Sequence, residues 1–327
     1  MAASEIPLPP RLQRYEVDQC LQLWNDQLGE DQLWEDQLHN FDPSILVYVM
    51  RLRSPRTLSS DLVVKVVDAP NYIGTCFFLK LYDRRFADQL RKDHKIASWN
   101  KDVEKSCLEF VRSGKEGEFL QRVHNHRDSE VPERQNWTDA ENEAFLGHKL
   151  HEIYENEKAL YGVLQEYQGQ CFPRFFAGEN RKLRPNDVSP LSMSSKLYQI
   201  KGLLLQYFRG FNLTAMTDYA PSWAWQDIVN QAIRIAHILS DKNILNGDVR
   251  LENYMVVPRV DGSCQVFMVN LAQCRLRRED ESYWIWGVAK CRENEEGFIG
   301  ETMKRKLGEL DFSLDFKHSG RYSKFVE

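Results

Sequence analysis

The apolar residues of this chain change their period several times, and each change marks an element. Three runs, Ile45–Arg53, Leu62–Ala69 and Thr75–Tyr82, are rich in Val, Ile, Leu, Phe and Tyr and are bounded by Ser, Pro, Asp or Gly. That combination predicts strands. Asp83–Lys92 then starts a basic helix. Residues 95–140 are polar and charged, with scattered Leu108, Phe110, Phe119, Leu120 and Val123, which predicts a helical insertion. Thr138, followed by Asp139 and Glu141, predicts an N-cap with an acidic first turn, opening a helix that runs to about Gln168. Phe172–Ala177 and Tyr198–Phe208 read as two more strands, separated by a proline- and serine-bearing loop over Glu179–Lys196. Gln206–Gly210 is a hinge, and Trp223–Ser240 spaces Trp, Ile, Val, Ala and Leu as a buried helix does.

The beginning of the chain breaks this pattern. Asp26-Gln27-Leu28, Asp31-Gln32-Leu33 and Asp36-Gln37-Leu38 repeat with Trp24 and Trp34 between them. A step of five fits neither a strand nor a helix and gives no single apolar face. We read residues 1–41 as an N-terminal helical extension that packs on the body or binds a partner. A smaller unit over 42–208, carrying the insertion 95–140, and a helical unit over 209–327 follow.

Composition narrows the classes. The chain is 42% hydrophobic and 28% charged, with a net charge of -5, an ordinary globular balance. Nothing in it attracts DNA or an anionic membrane as a whole, so an RNA partner would need a local patch. Arg84-Arg85 with Arg91-Lys92, Arg275–Arg278 and Lys304–Lys306 are the candidates. No apolar run approaches the roughly 18 residues of a membrane span. Met1–Pro10 has neither the basic nor the apolar region of a signal peptide. The seven cysteines are scattered, without a C-x-x-C pair. Together these predict a cytoplasmic protein with reduced thiols. His148 and His151 share a helix face with Glu152, but no further ligand follows, so a solvated helix is expected there and no metal.

The chemistry concentrates in Ile244–Val257. Asp248 stands five residues before Asn253, and a strand begins at once. Phosphotransferase catalytic loops have this spacing: the aspartate orients or deprotonates the nucleophile, and the asparagine holds a second metal ion. A hairpin turning at Asp261-Gly262 returns through Cys264–Val269. A metal-binding aspartate would come next, but the residue is Asn270. Lys80, amid apolar neighbours on the third strand, matches a phosphate-contacting lysine whose partner is a helix glutamate. Glu152, Glu155 and Glu157 are available. Glu157 leads the stripe Leu160, Tyr161, Leu164 and is the preferred partner, with Glu155 or neither as alternatives. Ser54–Ser60, where a phosphate-cradling loop would lie, contains no glycine.

In these residues the chain resembles the kinase-like superfamily and, more narrowly, is similar to a group of fungal kinase-like proteins. The likeness runs through Leu79–Phe86, Gln168–Pro173, Asn246–Arg250, Glu252–Met255, Phe267–Asn270, Cys274-Arg275 and Trp286–Met303, and so spans about residues 45–325. It implies an α+β, two-lobed, protein-kinase-like fold with a shortened C-terminal lobe and a degenerate D-F-G motif. Arginine-containing cyclodipeptide synthases, fungal enzymes of secondary metabolism, are similar in kind. That resemblance implies an acyl transferase drawing arginine and a second amino acid from aminoacyl-tRNAs, without a cofactor. The alternative is a degenerate kinase or nucleotide-binding pseudokinase using ATP and Mg²⁺, and a third class is a non-catalytic scaffold. Lys80, Asp248 and Glu157 are the catalytic candidates, with Asp248 as base to the attacking amine. Asn253, Glu252, Asn270 and Arg250 are the substrate-binding candidates. Glu252 is the first choice to grip a guanidinium, ahead of Asp227 and Asp241.

Overall fold

The computed structural model describes residues 15–25, 44–52, 58–69, 71–125, 136–182 and 196–325. They form two compact units, one of residues up to Tyr154 together with Phe176–Leu205, the other of Glu155–Phe175 together with Gln206 onward. The division at Gln206 falls in the predicted hinge. The fold is mixed α+β with a curled antiparallel sheet.

In the first unit the strands are β1 (Cys20–Asn25), β2 (Ser44–Leu52), β3 (Ser60–Val66), β4 (Cys76–Tyr82), β5 (Phe175–Lys182) and β6 (Gln199–Gln206). They close in the order β1-β2-β3-β4-β6-β5. Side chains two apart fill the interior, as the pleat requires: Leu21 and Leu23, Val47 and Val49, Leu62 and Val64, Leu79 and Leu81. This corrects the reading of the N-terminus. Cys20–Asn25 is a strand, not part of a helix, and it pairs with both β2 and β5. The reason is the spacing of Leu21 and Leu23, which buries both in the sheet interior. The Asp-Gln-Leu repeats lie outside the described residues, as does most of Ser54–Ser60. β5 also runs past Ala177 to Lys182, into what the prolines and serines marked as loop.

α1 (Asp88–Asp93) is the predicted basic helix after β4, the helical insertion is built of α2 (Lys101–Arg112) and α3 (Lys115–Asn125), and α4 (Asp139–Val163) follows. Asn100 caps α2 by accepting the Asp102 and Val103 N–H groups, both at 2.9 Å. Thr138 and Glu141 form a reciprocal capping box at α4, Glu141 N–H donating to Thr138 Oγ1 at 3.2 Å and Thr138 N–H to Glu141 Oε2 at 2.9 Å. Ions hold the insertion to the barrel. Arg84 donates to Glu104 at 2.7 Å and to Glu143 at 2.6 Å, and Arg91 lies 2.6 Å from the other Glu143 oxygen. Arg85 grips Asp83 at 2.6 Å, and the Tyr15 hydroxyl donates to that same carboxylate at 2.8 Å.

In the second unit β7 (Phe211–Asn212), α5 (Met216–Tyr219) and α6 (Ser222–Asp241) precede the loop that carries Asp248. α6 buries Ala224, Ile228, Ala232, Ile235 and Leu239 along one face. Around the loop stand β8 (Ile244–Asn246), β9 (Tyr254–Pro258), β10 (Cys264–Met268) and β11 (Cys274–Leu276), and α7 (Tyr283–Glu293) and α8 (Glu295–Gly308) end the unit. β9 and β10 are the predicted hairpin, with Gly262 at φ +86° in its turn. β8 pairs antiparallel with β11, Asn246 opposite Cys274. The segment after α8 is tied back by Asp315 and Gln226, by Ser319 and Glu296, and by Arg321 and Asp241.

Candidate active site

The loop between β8 and β9 is fixed at both ends. Asn246 is 1% exposed, and its N–H donates to Glu295 Oε1 at 2.7 Å. Its own side-chain oxygen accepts the Asp248 N–H at 3.0 Å. A single turn at Leu251–Asn253 then brings Asn253 back onto Asp248. Asn253 Nδ2 donates to the Asp248 carbonyl at 2.8 Å and to its carboxylate Oδ2 at 3.1 Å. The five-residue spacing thus serves to close a side chain onto the backbone that carries the aspartate.

Arg250 completes the cluster. Its Nε lies 2.5 Å from Asp248 Oδ1 and its Nη2 2.6 Å from Oδ2, a bidentate fork. The hydrogen bond to Asp248 raises the Arg250 pKa further. The two partners differ in exposure, 52% for the arginine side chain and 12% for the aspartate. Glu252, one residue beyond Leu251, is exposed.

Asn270 follows β10, and the hairpin carries it to this cluster. Its Nδ2 donates to Asn253 Oδ1 at 3.2 Å, and its Oδ1 accepts the Ala272 N–H at 3.3 Å. The oxygen that Asn253 would offer a second metal ion therefore faces an amide N–H. A hard divalent cation takes charged oxygens. Here one carboxylate is present, and both of its oxygens already accept a guanidinium. The donor set suits a cation with N–H groups and does not suit Mg²⁺. Among the described residues no group of three or more His, Cys, Asp or Glu is placed to hold a metal ion.

Glu157 is the buried one of the three candidate glutamates, at 0% exposure, whereas Glu152 and Glu155 are exposed. Glu157 Oε1 accepts the Leu271 N–H at 3.2 Å, which ties α4 to the residue after Asn270. Lys80 sits in the first unit, 3% exposed on β4, which has β3 and β6 as neighbours and so is no edge. Glu152 pairs with His148 and Lys149, and the His148 hydrogen bond leads in holding its carboxyl down at about 2.

Two supports of the loop were not singled out by sequence reasoning. Lys290 and Glu295, 2.7 Å apart, are 3% and 4% exposed. Lys290 also donates to the Ile244 carbonyl at 3.1 Å. Burial pulls the Lys290 ammonium below its ordinary range and pushes the Glu295 carboxyl above its own. Both line a cavity of about 300 Å³ bounded by α6, α7, α8 and the C-terminal segment. Nothing in Lys290-Cys-Arg-Glu-Asn-Glu295 distinguishes it from a solvated charged turn.

The basic patches fare unequally. Arg84, Arg85 and Arg91 are buried and paired with carboxylates, so this patch is corrected from a nucleic-acid surface to an internal ionic core. Arg275 is bidentate to Glu281 at 2.8 and 2.9 Å, and Arg277 donates to the Glu281 carbonyl. Arg278, Lys304 and Arg305 remain outward. The seven cysteines are free thiols. Burial pushes those of Cys107 and Cys171 up to about 12, away from nucleophilic use. No described helix is long and apolar enough to cross a membrane.

Comparison with known protein families finds no matching family model, and comparison with curated proteins finds no match.

Proposed function

We propose that this chain is an acyl transferase that makes an arginine-containing cyclic dipeptide from aminoacyl-tRNAs, on a kinase-like scaffold with a shortened second lobe. The observation that carries the reading is Asn270, an amide that donates to Asn253 beside Asp248 in the place where phosphoryl transfer needs a metal-binding carboxylate. Acyl transfer from an ester needs no metal and no ATP. The α-amine of one aminoacyl ester attacks the carbonyl carbon of the other. The C–O bond to the tRNA ribose breaks, the ribose oxygen takes up the proton released by the amine, and a dipeptidyl ester remains. Its free amine then attacks its own ester, releasing the second tRNA and the six-membered ring.

This chemistry asks more of orientation than of basicity. An α-amino group titrates near 7.7–8.0, so much of it is already neutral at physiological pH. Placing the two reacting groups is the larger contribution. Asp248, both of whose oxygens accept the Arg250 fork, is placed as an anchor for a guanidinium. The RNA would meet outward cations such as Arg278, Lys304 and Arg305.

The test is metabolite profiling of yeast expressing the chain and fed isotope-labelled arginine, beside an Asp248→Ala strain. The expected result is a labelled cyclic dipeptide that the variant does not make, its mass naming the second amino acid. Soluble protein with no labelled product would overturn the reading. A degenerate kinase or pseudokinase is the second reading, favoured by the burial of Lys80 and Glu157. Strong thermal stabilisation by Mg²⁺·ATP, lost in Lys80→Ala, would select it.

A further inference from the structure

The guest that Asp248 receives is a guanidinium, and Arg250 is its internal stand-in. We propose that the Asp248 carboxylate is a receptor for guanidinium-bearing ligands and that Arg250 is a tethered competitor that an incoming ligand displaces. The inference rests on the acyl-transfer reading only for the identity of the guest as an arginyl group.

Three features separate receptor from competitor. Asp248 is held at three atoms without Arg250. Its N–H is bound by Asn246, its carbonyl by Asn253, and its Oδ2 by the same Asn253 amide. Arg250 by contrast is half exposed, and its guanidinium is bonded to Asp248 with only the charge of Glu252 acting on it besides. The geometry is also selective. Nε and Nη2 meet Oδ1 and Oδ2 in parallel, a match of planar fork to planar carboxylate that an ammonium cannot reproduce. A hydrogen-bonded acceptor that is 12% exposed beside a donor that is 52% exposed is the arrangement in which one fork exchanges for another.

The remaining acids of the loop do not serve as well. Glu252 is exposed and no hydrogen bond from the described residues holds its carboxylate, and Asp227, on α6, accepts from Gln231. Asp241 is already paired with Arg321 of the C-terminal segment. Of the acids of the neighbouring cavity, Glu295 is 4% exposed and has Oε1 taken by Lys290 and the Asn246 N–H, and Glu296 accepts from Ser319 and pairs with His237.

A tethered competitor lowers apparent affinity by the fraction of time that it occupies the site. If Arg250 covers Asp248 about nine-tenths of the time, removing it tightens a guanidinium ligand about tenfold. The experiment is calorimetric titration of the full chain with agmatine, and with cadaverine as an ammonium control, in wild type, Arg250→Met and Asp248→Asn. Circular dichroism establishes that each variant is folded. The expected result is agmatine binding that strengthens about tenfold in Arg250→Met and is lost in Asp248→Asn, with cadaverine gaining much less. Unchanged or weaker agmatine binding in Arg250→Met overturns the proposal. So does an equal gain for cadaverine, which would mean charge alone, and so does absence of agmatine binding in both proteins. The two readings fail separately. Displaceable agmatine binding without a labelled cyclic dipeptide removes the synthase and leaves the receptor. A labelled product with agmatine binding indifferent to Arg250 does the reverse.

Discussion

Arg84, Arg85 and Arg91 in the first unit and Arg250 in the second make the same bond under opposite conditions. The first three are at most 5% exposed and lie against Glu104, Glu143 and Asp83, which are no more exposed than they are. Arg250 pairs with Asp248 from a side chain that is 52% exposed. Once charges are buried, the loss of one partner strands the other, and the pair becomes obligatory. In solvent a pair contributes little and can be exchanged. The difference shows that arginine–carboxylate geometry does not by itself announce a role. Burial decides whether the pair is a fastener or a latch.

The comparison breaks most visibly at Arg84. Arg84→Met leaves Glu104 and Glu143 without their shared cation. The expected cost is about 3–5 kcal/mol in denaturant unfolding. A loss below about 1 kcal/mol would mean that the buried network is not the fastener argued here.

A smaller effect, with a sign, belongs to Asp83. Burial alone would raise its pKa, but the charge and hydrogen bonds of Arg85 outweigh burial and set the carboxyl below its ordinary 3.8. A folded value below the unfolded one means that ionised Asp83 stabilises the fold at all pH above the unfolded value. That contribution disappears as pH falls through the folded value. Thermal melts of wild type and Asp83→Asn should therefore differ at pH 7, begin to approach each other near pH 3.8 and converge only once the pH has fallen past the folded value. A gap that persists in acid would assign the effect to packing instead of charge.

Much of this was legible because it is local. The period-two runs gave β2, β3 and β4, the Thr138–Glu141 spacing gave the start of α4, and Asp261-Gly262 gave the hairpin turn. Glu157, which heads an apolar stripe, is the buried one of the three candidate glutamates, so its burial was legible in that stripe. The Asp248–Asn253–Asn270 cluster followed from the catalytic-loop spacing and a short hairpin. What stayed hidden depends on partners far along the chain. β1 is a strand because β2 and β5 lie on either side of it, and the adjacent repeat masks its two inward leucines. Arg84 and Arg91 look like surface because sequence shows the charge and not Glu143, which meets both. Lys290 and Glu295 fail to stand out for the same reason, since their burial comes from packing and not from their own neighbours.

Asn270→Asp sharpens the contrast from the other side, by adding a charge to the Asp248–Asn253–Asn270 cluster. The aspartate would place an oxygen against Asn253 Oδ1 where Nδ2 now donates at 3.2 Å. One net hydrogen bond is worth about 1 kcal/mol, and a loss of that order is expected. Adding millimolar Mg²⁺ should not restore the melting temperature, because Asp248 remains committed to the Arg250 fork. Full recovery with Mg²⁺ would revive a metal site and favour the phosphotransferase reading.

The smallest effect on stability is the most informative about function. Arg250→Met removes a fork that solvent already reaches, so the expected change is within about 0.2–1 kcal/mol. Asp248 keeps its Asn246 and Asn253 hydrogen bonds, and the loop should hold its shape. Denaturant unfolding of Arg84→Met and Arg250→Met side by side measures both pairs on one scale. If Arg250→Met costs as much as Arg84→Met, the exposed pair is a fastener too, and displacement by a ligand would be too costly to serve recognition. If it costs little, Asp248 is an acceptor whose present occupant is held only by its tether, and a second guanidinium can compete for the same two oxygens.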